Sequence, residues 1–148
     1  MNKSIHDVDV LLVEDNMDDA ALVIRALKKH NMGNNLIHLT DGEQALDFLF
    51  CRGQYAERKM EDKPKVVLLD LKMPKVDGLQ VLKAIRENQV TSRIPVVIMT
   101  SSKEDRDIVN TYNSGVNAYV VKPVGFDNFS KAVADLGMFW LLVNESPK

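Results

Sequence analysis

The sequence predicts an α/β domain in which a parallel sheet of five strands is covered on both faces by five helices. Three observations carry this. Short runs rich in Val, Leu and Ile alternate along the chain with amphipathic stretches of helical period, the pattern of a doubly wound sheet. One run, Val66-Val67-Leu68-Leu69, is apolar at every position, as expected of a strand buried on both sides. The 148 residues, 45% hydrophobic and 27% charged, match one ordinary globular domain with a core of useful size.

The elements follow in order. Val8 to Val13, broken only by Asp9, reads as the first strand. Asp18 to His30 reads as a helix burying Leu22, Val23, Ala26 and Leu27, with Met32-Gly33-Asn34 ending it. Leu36 to Leu39 is a second strand. Asp41-Gly42 turns the chain into a helix carrying Ala45, Leu46, Leu49 and Phe50. Gly53 to Lys65 is dense in charge and lacks apolar periodicity, so it is expected to be a surface loop. The third strand ends on Asp70, and a helix opened by Asp77 places Leu79, Val81, Leu82 and Ile85 inward. Pro95 introduces a fourth strand, Val96 to Met99. Ser101 and Glu104 have capping-box spacing for the next helix, closed by Ser114-Gly115. Ala118 to Val121 is the fifth strand, and a last helix runs from about Phe126 to Val143.

Composition excludes several classes. A net charge of −2 with interspersed signs does not suit nucleic acid or an anionic membrane. The one cysteine, Cys51, excludes an internal disulfide and fits a reducing compartment. The beginning, MNKSIHDVDV, has no signal-peptide character, and no apolar stretch is long enough to span a bilayer. The expectation is a cytoplasmic protein with one domain over residues 1–148. His6, His30 and His38 are scattered and have no zinc-site company.

In a doubly wound sheet, ligands sit beyond the carboxyl ends of the strands. Those ends carry Glu14-Asp15, Asp70, Thr100-Ser101 and Lys122. Singly, each is an ordinary cap, turn or surface residue. Together they bring three carboxylates, a hydroxyl and an ammonium to one edge. Clustered carboxylates destabilise one another unless a cation sits among them. Magnesium suits a site of few carboxylates, and it also neutralises a phosphoryl group in transfer. An aspartate can then act as the nucleophile.

The segments LLVEDN, VLLDLKMPKVDG, VVIMTSS and AYVVKP, in this order, resemble the signature segments of two-component response-regulator receiver domains. The resemblance spans Val8 to about Trp140. It implies a flavodoxin-like fold with strand order 2-1-3-4-5, and Asp70 as the phosphoacceptor. It implies magnesium held by Asp15, Asp70 and the backbone carbonyl of Lys72, with Glu14 acting through water. Thr100 and Lys122 match the switch hydroxyl and the phosphate-binding lysine, and Tyr119 matches the aromatic switch position. Such a domain is phosphorylated by a sensor histidine kinase and is no enzyme beyond its own phosphorylation and dephosphorylation.

Two features resemble the small receivers of cyanobacterial and bacterial phytochromes. One is the loop within FLFCRGQYAERKMEDKPK, which lengthens the interval from Asp15 to Asp70. The other is the final helix, where only Gly137 between Leu136 and Val143 is not apolar. An apolar circumference needs a partner beyond the core, so Met138, Phe139 and Leu142 form a candidate homodimer surface. With only a few residues after that helix, no effector domain is expected.

Other readings stay open. A phosphorylation-independent binding module keeps the fold without the chemistry. A magnesium-dependent phosphatase of haloacid-dehalogenase type would need a second acid two residues after its nucleophile, where Lys72 stands. A nucleotide or flavin binder would need a glycine-rich loop after the first strand, where Glu14-Asp15-Asn16 stands.

Overall fold

The computed structural model describes residues 8–29, 35–73, 75–100 and 118–121. Five strands form one sheet: β1 (Val10–Val13), β2 (Leu36–Leu39), β3 (Val66–Asp70), β4 (Val96–Thr100) and β5 (Ala118–Val121). Three α-helices are described: α1 (Met17–Lys29), α2 (Gly42–Leu49) and α3 (Gly78–Glu87). All strand pairs are parallel, in the order β2-β1-β3-β4-β5. This is the flavodoxin-like order expected. The helices expected after Ser101 and from Phe126 lie outside the described residues, as do the Met32-Gly33-Asn34 turn, His6 and His30.

Strand composition explains sheet burial. All five residues of β3 and of β4 are buried, as central parallel strands require. Alternation along the strands divides the core. Leu11, Val13, Val67, Leu69, Val96 and Ile98 pack with Ala45, Phe48 and Leu49 of α2 and with Val81, Leu82 and Ile85 of α3. The intervening residues Val10, Leu12, Val66, Leu68, Val97 and Met99 are equally buried and face the other way. There α1 contributes Ala20, Val23, Ala26 and Leu27.

The buried face of α1 differs from expectation at one residue. Leu22 is 40% exposed. The inward stripe is centred on Ala20, Val23 and Leu27, which leaves position 22 on its rim. In α2 the principal core residue is Phe48, fully buried, whereas Leu46 and Phe50 pack only against the margin.

The segment from Gly53 to Lys65 is mostly exposed, as a surface loop should be, but it is anchored from within. The chain leaves α2 through Cys51 and Gly53, both at positive φ (58° and 56°). It then forms a short 3-10 helix, Gly53–Tyr55. Tyr55 meets Phe48 edge-on, with ring centroids 5.1 Å apart. Arg58 is buried, and its guanidinium stacks 3.8 Å from the centroid of the Phe48 ring. It donates to the carbonyls of Phe48 and Asp62 and contacts Cys51 Sγ at 3.6 Å. A cation against the last carbonyls of α2 complements the helix dipole. Burial pushes the Arg58 pKa down from its ordinary value, opposed by Cys51, Asp62 and Tyr55. Arginine is still cationic under these conditions.

Candidate functional site

Strand order reverses between β1 and β3, which are neighbours leading to opposite sides of the sheet. Beyond the carboxyl ends of such a pair lies a crevice. Val13 is in register with Leu69, so Glu14 and Asp70 leave adjacent strands at the same level. Backbone hydrogen bonding holds Glu14 in place: its N–H donates to Leu39 O at 3.0 Å, and His38 Nε2 lies 2.8 Å from its carbonyl. His38 is thus tied to the main chain of the site's edge, in keeping with a structural histidine.

The Glu14 side chain turns back, and Oε2 accepts from Asn16 N–H at 3.1 Å. Asn16 in turn opens α1: its Oδ1 accepts from Asp19 N–H at 3.0 Å, and its carbonyl accepts from Ala20 at 3.0 Å. Asn16 is therefore a cap, which leaves Asp15 exposed in the short turn between strand and helix. The signal was present in the sequence as an asparagine one residue ahead of the helix.

Glu14, Asp15 and Asp70 each offer a carboxylate oxygen within 4.8 Å of the others. Glu14 and Asp70 are buried, at 0% and 5% exposure. At this separation two carboxylates repel by about 3 kcal/mol at an effective dielectric of about 20, less where Asp15 meets water. Hard oxygen donors of this number and charge fit a small divalent cation. The cluster unites three of the residues that sequence reasoning singled out.

Thr100 closes β4 and is buried. Asp70 is in register with Met99, so Thr100 lies one residue further along the neighbouring strand. Tyr119 is in register with Ile98, and Val121 with Thr100. Lys122 follows Val121 but lies outside the described residues, as do Met138, Phe139 and Leu142.

Two glycines shape this edge, and sequence reasoning missed what they do. Gly78 opens α3 directly beneath the end of β3, and its N–H donates to Leu71 O at 2.8 Å. A Cβ there would lie 2.7 Å from Leu71 Cα and closer still to the Asp70 carbonyl. Gly42 lets the start of α2 lie against the main chain of Val76. The helix start itself was legible: Asp77 accepts from Gln80 N–H at 2.9 Å while Gln80 Oε1 accepts from Asp77 N–H at 3.1 Å, a reciprocal capping box. Lys72, on the loop between β3 and α3, is exposed.

The arrangement is a buried carboxylate, Asp70, beside a cation-compatible acidic pair and a buried hydroxyl. A carboxylate so placed can attack phosphorus while the cluster accommodates a metal.

Comparison with known proteins agrees with this chemistry. The family model for the response regulator receiver domain matches residues 10–134. The probable methanogenesis regulatory protein FilR2 of Methanothrix harundinacea is 38% identical over 93% of this chain and 86% of its own length. The response regulator Rcp1 of Synechocystis is 39% identical over 89% of this chain and 88% of its own. A solved Mn(2+)-bound form of Rcp1 superposes with a TM-score of 0.74, covering 95% of this chain and 99% of that one at 37% identity. The bacteriophytochrome response regulator RtBRR is 49% identical with a TM-score of 0.85, covering 95% of this chain and 84% of that structure. The chain is thus homologous to a bacteriophytochrome response regulator, and it belongs to the response regulator receiver family.

Proposed function

We propose that this protein accepts a phosphoryl group on Asp70 from a sensor histidine kinase and signals through phosphorylation-dependent protein contacts. The observation that carries this is the convergence of Glu14, Asp15 and Asp70 oxygens within 4.8 Å, beside Thr100, at the carboxyl edge of the sheet.

Asp15, Asp70 and the Lys72 carbonyl would hold magnesium, with Glu14 acting through water. When bound, magnesium neutralises charge on the carboxylates and on the phosphoryl oxygens. A carboxylate oxygen of Asp70 forms the new P–O bond as the P–N bond of a phosphohistidine breaks. The imidazole leaves with the electron pair, neutral because its other nitrogen already carries a proton. The Thr100 hydroxyl then donates to a phosphoryl oxygen, and Lys122 pairs with it as a point charge. Tyr119, on the neighbouring strand, passes the change to the surface. Water later hydrolyses the acyl phosphate, so the protein acts on its own phosphate and on no external substrate.

The bacteriophytochrome response regulator among its relatives supports a phytochrome-type kinase as the phosphodonor. The apolar circumference of Leu136 to Val143 supports a homodimer through Met138, Phe139 and Leu142. A single receiver domain spanning 1–148 in the cytoplasm accords with the one free cysteine, Cys51, and among the described residues no helix is long and apolar enough to cross a membrane.

Intact-mass spectrometry tests the central claim. Wild type incubated with magnesium and acetyl phosphate should gain one phosphoryl group, and Asp70→Asn should gain none. No gain in wild type, or equal gain in the variant, refutes it.

A further inference from the structure

We propose that the start of α2 is a positioning element of the phosphorylation pocket, with Asp41 and Gly42 holding the β3–α3 loop in the place from which Lys72 serves the cation. This rests on the phosphoacceptor reading above.

Glu14, Asp15 and Asp70 follow directly from strands, so the sheet fixes them. Lys72 lies two residues past β3, on a loop running to Asp77, and its place depends on what holds that loop. One end is pinned by Gly78 N–H on Leu71 O. The middle rests on α2. Gly42 is buried, and a Cβ there would lie 2.7 Å from the Val76 carbonyl carbon and 2.9 Å from Val76 Cβ. The first is a backbone approach and the second is to a Cβ fixed to that backbone, so neither can be relieved by a flexible side-chain end.

Asp41 joins the two elements through separate oxygens. Oδ1 accepts from Gln44 N–H at 2.8 Å and caps α2. Oδ2 faces Lys75 Nζ at 3.8 Å. Asp41 is buried, whereas Lys75 is exposed, so the ion pair is the weaker component and the Gly42–Val76 contact the stronger. Lys75 itself has φ 66°. A lysine persists in that region only where its surroundings hold it.

Magnesium demands near-ideal octahedral geometry, so a displaced loop should register as lost affinity. Titration calorimetry with magnesium chloride at 20 °C on the full chain measures this. Gly42→Ala should weaken magnesium binding about tenfold, as for outer partners of metal ligands. Lys75→Gly, which fits the positive φ, should weaken it about threefold. Both should also discriminate less between magnesium and calcium. Thr91→Val removes the buried bond from Thr91 Oγ1 to Ile85 O, remote from the loop. It should lower the melting temperature and leave magnesium affinity unchanged, which separates positioning from stability. Magnesium affinity within twofold of wild type in Gly42→Ala and Lys75→Gly overturns the assignment. If circular dichroism shows Gly42→Ala unfolded, Lys75→Gly decides alone. Failure of wild type to bind magnesium instead refutes the phosphoacceptor reading itself.

Discussion

Removal of Arg58 should be felt strongly outside the pocket. In Arg58→Ala the guanidinium stacked at 3.8 Å on Phe48 disappears, a contact worth about 1–2 kcal/mol when desolvated. The carbonyls of Phe48 and Asp62 also lose a charged donor, at about 1.5–3 kcal/mol each before water repairs part of the loss. A net destabilisation of about 3–5 kcal/mol follows. In a protein of this size each kcal/mol moves the midpoint by about 2–4 °C, so the melting temperature should fall by about 10 °C. Scanning calorimetry with magnesium present measures it. Arg58→Lys keeps the charge but not the planar fork that reaches two carbonyls at once, and should recover less than half. Because the loop joins the far end of α2 from Asp41, the final level of phosphorylation at 20 °C should match wild type. A fall of under 3 °C, or full rescue by lysine, would show that Gly53 to Lys65 is held by something else.

Gly78→Ala should act where Arg58→Ala does not. Its Cβ meets the Leu71 backbone and the Asp70 carbonyl, so relief must shift the end of β3. Overpacking of this kind costs about 1–3 kcal/mol, and the rate of phosphorylation by acetyl phosphate should fall well below wild type; an unaltered rate would separate α3 from the pocket. Removing residues 138–148 should yield a monomer that is still phosphorylated, read by sedimentation velocity alongside intact mass. An unchanged sedimentation coefficient would refute the dimer surface.

What was legible in the sequence was whatever a short window records. The unbroken apolar run of β3 announced a strand buried on both faces, and Asp77 announced a helix start, because composition and capping are local. The pocket was legible for a related reason. Once the strands are parallel, topology alone carries Glu14, Asp15, Asp70 and Thr100 to one edge, and the ordered segments identified the family. Leu22 against Ala20 was not legible, because the phase of a helical stripe is set by what lies beneath it.

Tertiary structure decided the rest. Arg58 reads as one charge among many in a polar segment, and only the fold brings it over Phe48, ten residues earlier in the chain. Glu14 and Asp15 are chemical neighbours, yet one is fully buried and the other exposed, because Leu39, His38 and Asn16 seize the first and leave the second in the turn. Gly42 and Gly78 each sit at an ordinary helix start. Their role comes from a backbone lying within a methyl group's reach, a fact of distance between segments that no local pattern encodes.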